Sequence, residues 1–122
     1  MSISNKRLVE KVLEMFANNN HDKYLKYLDE NIKWNIIGMP VISGKIEFLK
    51  AVKSLELENF ISFKIKNIIS EGEFVVVENN GSNNERREKF NIPAYCDIYR
   101  LNNGKICELT SYIVDTSSTN EN

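Results

Sequence analysis

The chain has 122 residues, of which 42% are apolar and 27% are charged, so length and composition predict one globular domain. Its 16 basic and 17 acidic residues nearly cancel, which argues against nucleic acid or a membrane surface as a partner. No apolar run approaches the roughly 20 residues needed to cross a bilayer, and no apolar stretch follows the first charges as in a secretory signal. We therefore expect a cytoplasmic protein whose single domain spans residues 1–115, with a frayed polar tail over 116–122.

The two cysteines, Cys96 and Cys107, lie on either side of one predicted turn, so a disulfide between them is sterically open. A reducing cytoplasm favours free thiols instead. Two cysteines and the single histidine, His21, fall short of a zinc site. We therefore expect no metal site, and no motif indicates a cofactor.

The first half of the chain predicts three helices and one strand. Ser4 is suited to cap the first helix. Apolar residues then recur at helical spacing, at Leu8, Val12, Met15 and Phe16. A second short helix is predicted over 22–29, and a strand over 32–37. A third helix follows Gly44, with three residues expected to face inward, Ile46, Leu49 and Val52.

The second half predicts four strands joined by turns. An alternation from Asn59 indicates a strand with one solvent-exposed face. The valine-rich segment 74–78 reads as a buried strand, and the asparagine-rich segment 79–84 as a loop. Two more strands flank the turn at 102–105. Helices gathered first and hairpin strands gathered last predict an α+β fold, a strongly curved antiparallel sheet whose concave face is covered by three N-terminal helices.

Asp97 stands in the middle of an otherwise apolar strand. A carboxylate that a strand points inward is costly unless it is paired, protonated or used chemically. Its surroundings depend on the turn that follows. A two-residue turn at Asn103-Gly104 would place Asp97 opposite Thr110. A three-residue loop with a glycine bulge would place it opposite Leu109, and we favour this register because it gives Asp97 a mostly apolar face.

Three segments, in their order and spacing, resemble the nuclear-transport-factor-2-like superfamily and its polyketide-cyclase (SnoaL-like) branch. They are Ile32-Lys33-Trp34-Asn35 leading to Ser43-Gly44-Lys45, the segment 95–106, and Glu108-Leu109-Thr110-Ser111-Tyr112 with Asp115 close behind. The resemblance covers about residues 4 to 115. It implies a cone of sheet and helices around a deep pocket, and a homodimer formed through the outer face of the sheet. Because this superfamily holds isomerases, epoxide hydrolases, dehydratases, cyclases and binding modules, it does not select one function.

The resemblance places Asp97 where the ketosteroid isomerases keep a protonated aspartic acid that donates to a developing oxyanion. It also places Asp97 where limonene-epoxide-hydrolase-like members keep an acid-base aspartate. The partners differ in this chain. The isomerase base falls at about Asn35 and the isomerase tyrosine near Lys11, while the epoxide hydrolase arginine and second aspartate fall at Tyr95 and Ser111. The resemblance therefore implies a proton-holding acid without either known set of partners.

We expect Asp97 to lie in a pocket lined from several elements. The predicted lining comprises Tyr95, Tyr99, Leu109, Ser111 and Ile113 from the last two strands, Trp34 and Asn35 from the first strand, and Phe16, Met39 and Phe48 from the helices and a loop. Such a lining suits a small apolar ligand carrying one carbonyl or hydroxyl. The leading interpretation is a ligand pocket in which Asp97 is the acid of an isomerase or lyase. The alternatives are a non-catalytic binding or interaction module, in which Asp97 bonds tyrosine or tryptophan hydrogens, and a polyketide-cyclase-like enzyme.

Overall fold

The computed structural model describes residues 3–18, 20–57, 65–79 and 94–114. The start of the long alternating strand, most of the asparagine-rich loop and the polar tail lie outside these ranges. The elements in chain order are α1 (Asn5–Ala17), α2 (His21–Tyr24), a 3₁₀ turn (Leu25–Tyr27), β1 (Leu28–Ile36), β2 (Ile42–Ser43), α3 (Lys45–Leu57), β3 (Ile65–Glu71), β4 (Phe74–Asn79), β5 (Ala94–Asn102) and β6 (Lys105–Val114).

The described strands form one curved, unclosed six-stranded sheet in the order β2-β1-β6-β5-β4-β3. The pairings are antiparallel except that of β1 with β6, which is parallel. The helices pack on one face, and the buried side chains of α1, α3 and the strands form one apolar cluster. The predicted α+β architecture is confirmed, since the chain places its helices before its hairpin strands.

Helix α1 begins as its sequence predicts. The Oγ of Ser4 accepts a hydrogen bond of 3.1 Å from the backbone N–H of Arg7, which satisfies one of the free donors at the helix start. A cap of this kind stabilises a helix by about 1 kcal/mol. The buried face of α1 then carries five apolar residues, Leu8, Val9, Val12, Leu13 and Phe16.

The second helix is shorter than predicted. It ends at Tyr24, the chain continues through a 3₁₀ turn, and β1 already begins at Leu28. Leu28 pairs with Ile106 of β6 and is almost completely buried. Sheet pairing therefore overrides the helical spacing of a short segment, as tertiary contacts commonly do.

The inward face of α3 is rotated from the predicted one. Ile46 is 71% exposed, so the prediction that it faces inward is wrong. Val52 is buried and Leu49 packs against the core, both as predicted. Phe48, expected in the lining, is buried four residues before Val52 on the same helix face. The ring of Phe48 lies 5.0 Å from that of Trp34, between centroids. This large contact orients the helix, and Ile46, about 200° around the axis from Phe48, is left outside.

The hairpin between β5 and β6 closes on a two-residue turn. Asn103 and Gly104 have φ angles of 54° and 75°, and two consecutive positive φ values define a type I′ turn. The favoured three-residue loop is therefore wrong. Cys107 is an extra residue on β6, because Leu101 pairs with Ile106 while Arg100 pairs with Glu108.

This bulge decides which residue Asp97 meets. Asp97 pairs directly with Ser111, rather than with Thr110 or Leu109. Directly paired residues share a face, so Leu109 and Ile113 lie on the same side of the sheet as Asp97. The bulge thus gives Asp97 the face that the favoured register predicted, through a different turn.

Candidate functional site

Strand pairing aligns Asp97 in a row across the helix-covered face of the sheet. The row runs Ile36, Ser111, Asp97, Val77 and Ile68, from β1 to β3. Val77 is fully buried and Ser111 is 3% exposed. Asp97 therefore occupies the centre of a mainly apolar row.

A chain of hydrogen bonds connects three strands at this point. The Nε1–H of Trp34 donates to the Oγ of Ser111 at 2.9 Å. The hydroxyl of Ser111 is in turn hydrogen-bonded to the Asp97 carboxyl. A hydroxyl has one donor and two acceptor lone pairs, so Ser111 can bond Trp34 and Asp97 at the same time. The indole therefore positions the serine, and the serine holds the carboxyl.

Burial raises the pKa of Asp97 from 3.8 to about 6, and the hydrogen bond from Ser111 opposes part of this rise. The residue as a whole keeps some solvent contact. Desolvation of its carboxyl group is nevertheless the largest contribution to the shift in its pKa. Among the described residues, no basic side chain contributes to the shift. The carboxyl is therefore half protonated at about pH 6, where an exposed aspartate is almost fully ionised.

Two tyrosines of β5 lie on the same face as Asp97. Burial raises the pKa of both Tyr95 and Tyr99, and the negative charge of Asp97 raises each further. Tyr99 is almost completely buried and pairs with Leu109 of β6. Both phenols stay protonated at neutral pH and can act as hydrogen-bond donors.

The aromatic part of the predicted lining is assembled by α1, α3 and β1. The rings of Trp34 and Phe48 lie 5.0 Å apart, and those of Phe16 and Phe48 lie 6.4 Å apart, between centroids. All three residues are buried. Packing against the helices therefore fixes the position of Trp34, whose indole N–H bonds Ser111.

Three predicted lining residues do not join this group. Met39 is 58% exposed and lies in a separate surface groove between the loop before β2 and α3. Asn35 follows Trp34 on β1, and since successive strand residues alternate faces, it lies on the outer side of the sheet. Ile113 shares the face of Asp97, but it lies toward the exposed end of β6.

Asn79 is the residue of this face that the sequence pattern did not identify. It is 2% exposed and continues the inward positions Val75 and Val77 of β4. It pairs with Tyr95, so it lies diagonal to Asp97. Neither the Oδ1 nor the Nδ2 of Asn79 has a hydrogen-bond partner among the described residues. The alternation of Val75 and Val77, extended by one step, is the signal that points to it.

The described part of the chain has two buried polar residues, Asn79 and Ser111, and they flank Asp97 from β4 and β6. In that same part, no three His, Cys, Asp or Glu side chains are grouped so as to hold a metal ion. Cys96 and Cys107 are both free. None of the described helices is long and apolar enough to cross a bilayer.

Solved structures with a similar fold include proteins described as nuclear-transport-factor-2-like. One of unknown function from Cytophaga hutchinsonii has 25% identity and a TM-score of 0.70, covering 91% of this chain and 100% of its own. Another of unknown function, from Burkholderia xenovorans, has 19% identity and a TM-score of 0.74, covering 95% and 87%. An LEH-like epoxide hydrolase from M. tuberculosis has 18% identity and a TM-score of 0.65, covering 89% and 81%. The fold class predicted from the sequence is confirmed.

The family follows from the sequence itself. A family model of the SnoaL-like domain matches residues 9–109. The chain therefore belongs to the SnoaL-like domain family, as the resemblance indicated. None of the curated proteins compared matches the chain.

Proposed function

We propose that this protein binds a small, mostly apolar molecule at Asp97, and that the protonated carboxyl donates a hydrogen bond to a carbonyl or hydroxyl oxygen of that molecule. The observation that carries the proposal is the place of Asp97. Its carboxyl lies on the helix-covered face between Ser111 and Val77, and its only hydrogen-bond partner among the described residues is a neutral hydroxyl. With a pKa of about 6, such a carboxyl keeps its proton, and with it the capacity to donate, to a higher pH than an exposed one.

The proposal extends to catalysis with Asp97 as the acid of an isomerase or lyase. A positioned acid stabilises an oxyanion or a departing oxygen as negative charge develops on it. An elevated pKa near 6 keeps the proton available close to neutrality. The LEH-like epoxide hydrolase of the same fold is one relative whose name is that of an enzyme.

The alternative is a binding module without turnover. The resemblance places Tyr95 and Ser111 where the epoxide hydrolases hold an arginine and a second acid, and it places the isomerase base at about Asn35. An amide does not accept a proton at neutral pH, and Asn35 lies on the outer face of the sheet. These replacements favour binding over catalysis.

Three bicyclic molecules of nearly equal size test the binding proposal: 1-tetralone, 1-tetralol and tetralin. At about pH 5 the ketone should bind at least tenfold more tightly than the hydrocarbon, because a protonated Asp97 donates to its oxygen. As pH rises through about 6, the ketone should lose this advantage, since the ionised carboxylate has no proton to donate. The alcohol should keep its affinity, because a hydroxyl can donate to the carboxylate.

Two variants complete the experiment. Asp97→Asn keeps a donor at all pH values, so its preference for the ketone should not depend on pH. Asp22→Asn makes the same change at an exposed position and should behave as the wild type. Equal affinities for the three molecules at every pH would refute the binding proposal.

Exchange of the α-hydrogens of 1-tetralone in D₂O, followed by NMR, tests catalysis separately. Wild-type protein should accelerate the exchange, in which solvent D₂O takes the α-hydrogen while Asp97 donates to the carbonyl oxygen. Asp97→Leu should lose at least tenfold of the acceleration, because general acids contribute about 10²-fold or more. Binding of the ketone without any acceleration would favour the module.

We also propose that the protein works in the cytoplasm as a homodimer formed through the outer face of the sheet. This face exposes apolar side chains, including Ile69 at 62%, with Phe74 and Tyr112 also exposed. A second copy of the face would cover them. Sedimentation equilibrium of the wild type should give twice the monomer mass, and Ile69→Lys should reduce the measured mass to that of one monomer. A monomeric wild type would refute the dimer. Recovery of the native protein outside the cytosolic cell fraction would refute the location.

A further inference from the structure

Asn79 has the burial of a core residue and the chemistry of a binding residue. It is 2% exposed, yet its carboxamide oxygen and nitrogen are both without a hydrogen-bond partner among the described residues. An unpaired buried amide costs free energy, so buried polar groups are paired in most folds. The cost is recovered if a ligand supplies the missing donor and acceptor.

The position of Asn79 relative to Asp97 gives the spacing of such a ligand. Asp97 pairs with Val77 and Asn79 pairs with Tyr95, so Asp97 and Asn79 are diagonal neighbours on one face. Side chains in this relation are roughly 7–8 Å apart at their bases and point the same way. If the two hydrogen bonds, each about 2.9 Å long, tilt toward one another, the ligand spacing is shorter than the spacing of the side chains. A ligand that bonds both residues then needs polar groups roughly 5–6 Å apart. This is about the span of a six-membered ring substituted at opposite ends.

We propose that Asn79 is a second polar anchor of the ligand site, selecting molecules that carry an amide or lactam about one ring width from the group that contacts Asp97. An amide presents a donor beside an acceptor, which matches both free atoms of the carboxamide. A carboxylate would leave the Oδ1 of Asn79 unpaired. This inference rests on the proposed binding of a small molecule at Asp97 and names its second recognition group.

The probe is 4-hydroxybenzamide, which carries a hydroxyl and a primary amide at opposite ends of a ring, with phenol and benzamide as single-ended controls. Affinities are measured by ¹H–¹⁵N NMR titration at about pH 5. The side-chain NH₂ signals of Asn79 are assigned by their loss in Asn79→Leu. We expect 4-hydroxybenzamide to bind at least tenfold more tightly than phenol and to shift these signals.

Asn79→Leu replaces the carboxamide by an apolar group of similar size. It should lower the affinity for 4-hydroxybenzamide to that for phenol and leave the phenol affinity unchanged. It should also raise the thermal unfolding midpoint by a few degrees, because a buried unpaired amide is removed. The matched control, Asn35→Leu, removes a carboxamide from the outer face of the sheet and should change neither affinity.

The outcomes separate this inference from the proposal beneath it. If phenol binding depends on Asp97 but the amide adds no affinity, the role of Asn79 is refuted alone. The same holds if Asn79→Leu lowers the unfolding midpoint and leaves 4-hydroxybenzamide binding intact, since Asn79 is then structural. If phenol does not bind, or binds Asp97→Leu equally, the proposed function and this inference both fail.

Discussion

Replacing Asp97 by asparagine should stabilise the protein at neutral pH, although it removes a residue of the candidate site. The carboxyl has a pKa of 3.8 when exposed and about 6 in the fold. Between these values the folded chain binds more protons than the unfolded chain, so the free energy of unfolding falls as pH rises through this window. Below this window Asp97 is protonated in both states and costs the fold no stability. Above it Asp97 is ionised in both states, and the fold carries the full penalty of burying a charged carboxyl. Asparagine resembles the protonated acid, so it escapes the penalty at every pH.

The magnitude follows from the two pKa values. A difference of about 2.2, at about 1.36 kcal/mol for each whole unit, corresponds to about 3 kcal/mol. Linkage gives a penalty of about 1 kcal/mol at pH ~4.5 and about 3 kcal/mol at pH ~7.5. The stability advantage of Asp97→Asn over the wild type should therefore grow by about 2 kcal/mol across this range.

Urea unfolding followed by the fluorescence of Trp34, the single tryptophan, measures this difference at each pH. Asp22→Asn, which makes the same change at an exposed position, should show no comparable growth. A constant difference between Asp97→Asn and the wild type from pH ~4.5 to ~7.5 would refute the assignment of Asp97 as a buried, uncompensated acid.

Three further predictions concern the same strands. The fluorescence of Trp34 should change with a midpoint near pH 6, because its indole bonds the serine that holds Asp97; the change should vanish in Asp97→Asn and persist when His21 is replaced by asparagine. Ser111→Ala should move that midpoint upward, because the hydrogen bond that lowers the pKa of Asp97 is lost. The same substitution should lower the free energy of unfolding in urea by about 1–3 kcal/mol, because the buried indole N–H of Trp34 is left unpaired. Gly104→Ala should cost about 1 kcal/mol or more by the same assay, since φ is 75° and no atom lies within 4 Å of an added Cβ, so the cost is conformational; an unchanged midpoint would contradict the type I′ turn.

The sequence predicted the architecture well because its signals are local and repeated. The cap at Ser4, the helical spacing of α1 and the order of helices before hairpins are each visible in a few consecutive residues. The predictions for 22–29 and for Ile46 are wrong for a different reason. In both places a contact made with a distant element, the pairing of Leu28 or the packing of Phe48 on Trp34, outweighs the local pattern.

The candidate site was harder to predict than the fold, because one bulge controls it. The turn at Asn103-Gly104 is readable from its residue types, yet the extra residue Cys107 has no such signal. Without that bulge Asp97 would pair with Thr110. It would then share a face with Glu108 and Tyr112 instead of Leu109 and Ile113. The asparagines that follow Asn79 predict a loop at this residue, although its place in the alternation with Val75 and Val77 makes it an inward strand residue.

The two polar neighbours of Asp97 differ in what they can offer a ligand. Ser111 already accepts from Trp34 and is hydrogen-bonded to Asp97, so it has less hydrogen-bonding capacity left for a ligand than an unpaired group has. Asn79 has both of its polar atoms free among the described residues. A ligand that bonds Asp97 therefore gains more by extending toward β4 than toward β6. On this face the polar side chain on β6 is already hydrogen-bonded, whereas the one on β4 has no partner among the described residues. We therefore expect a ligand in the proposed site to direct its second polar group toward β4.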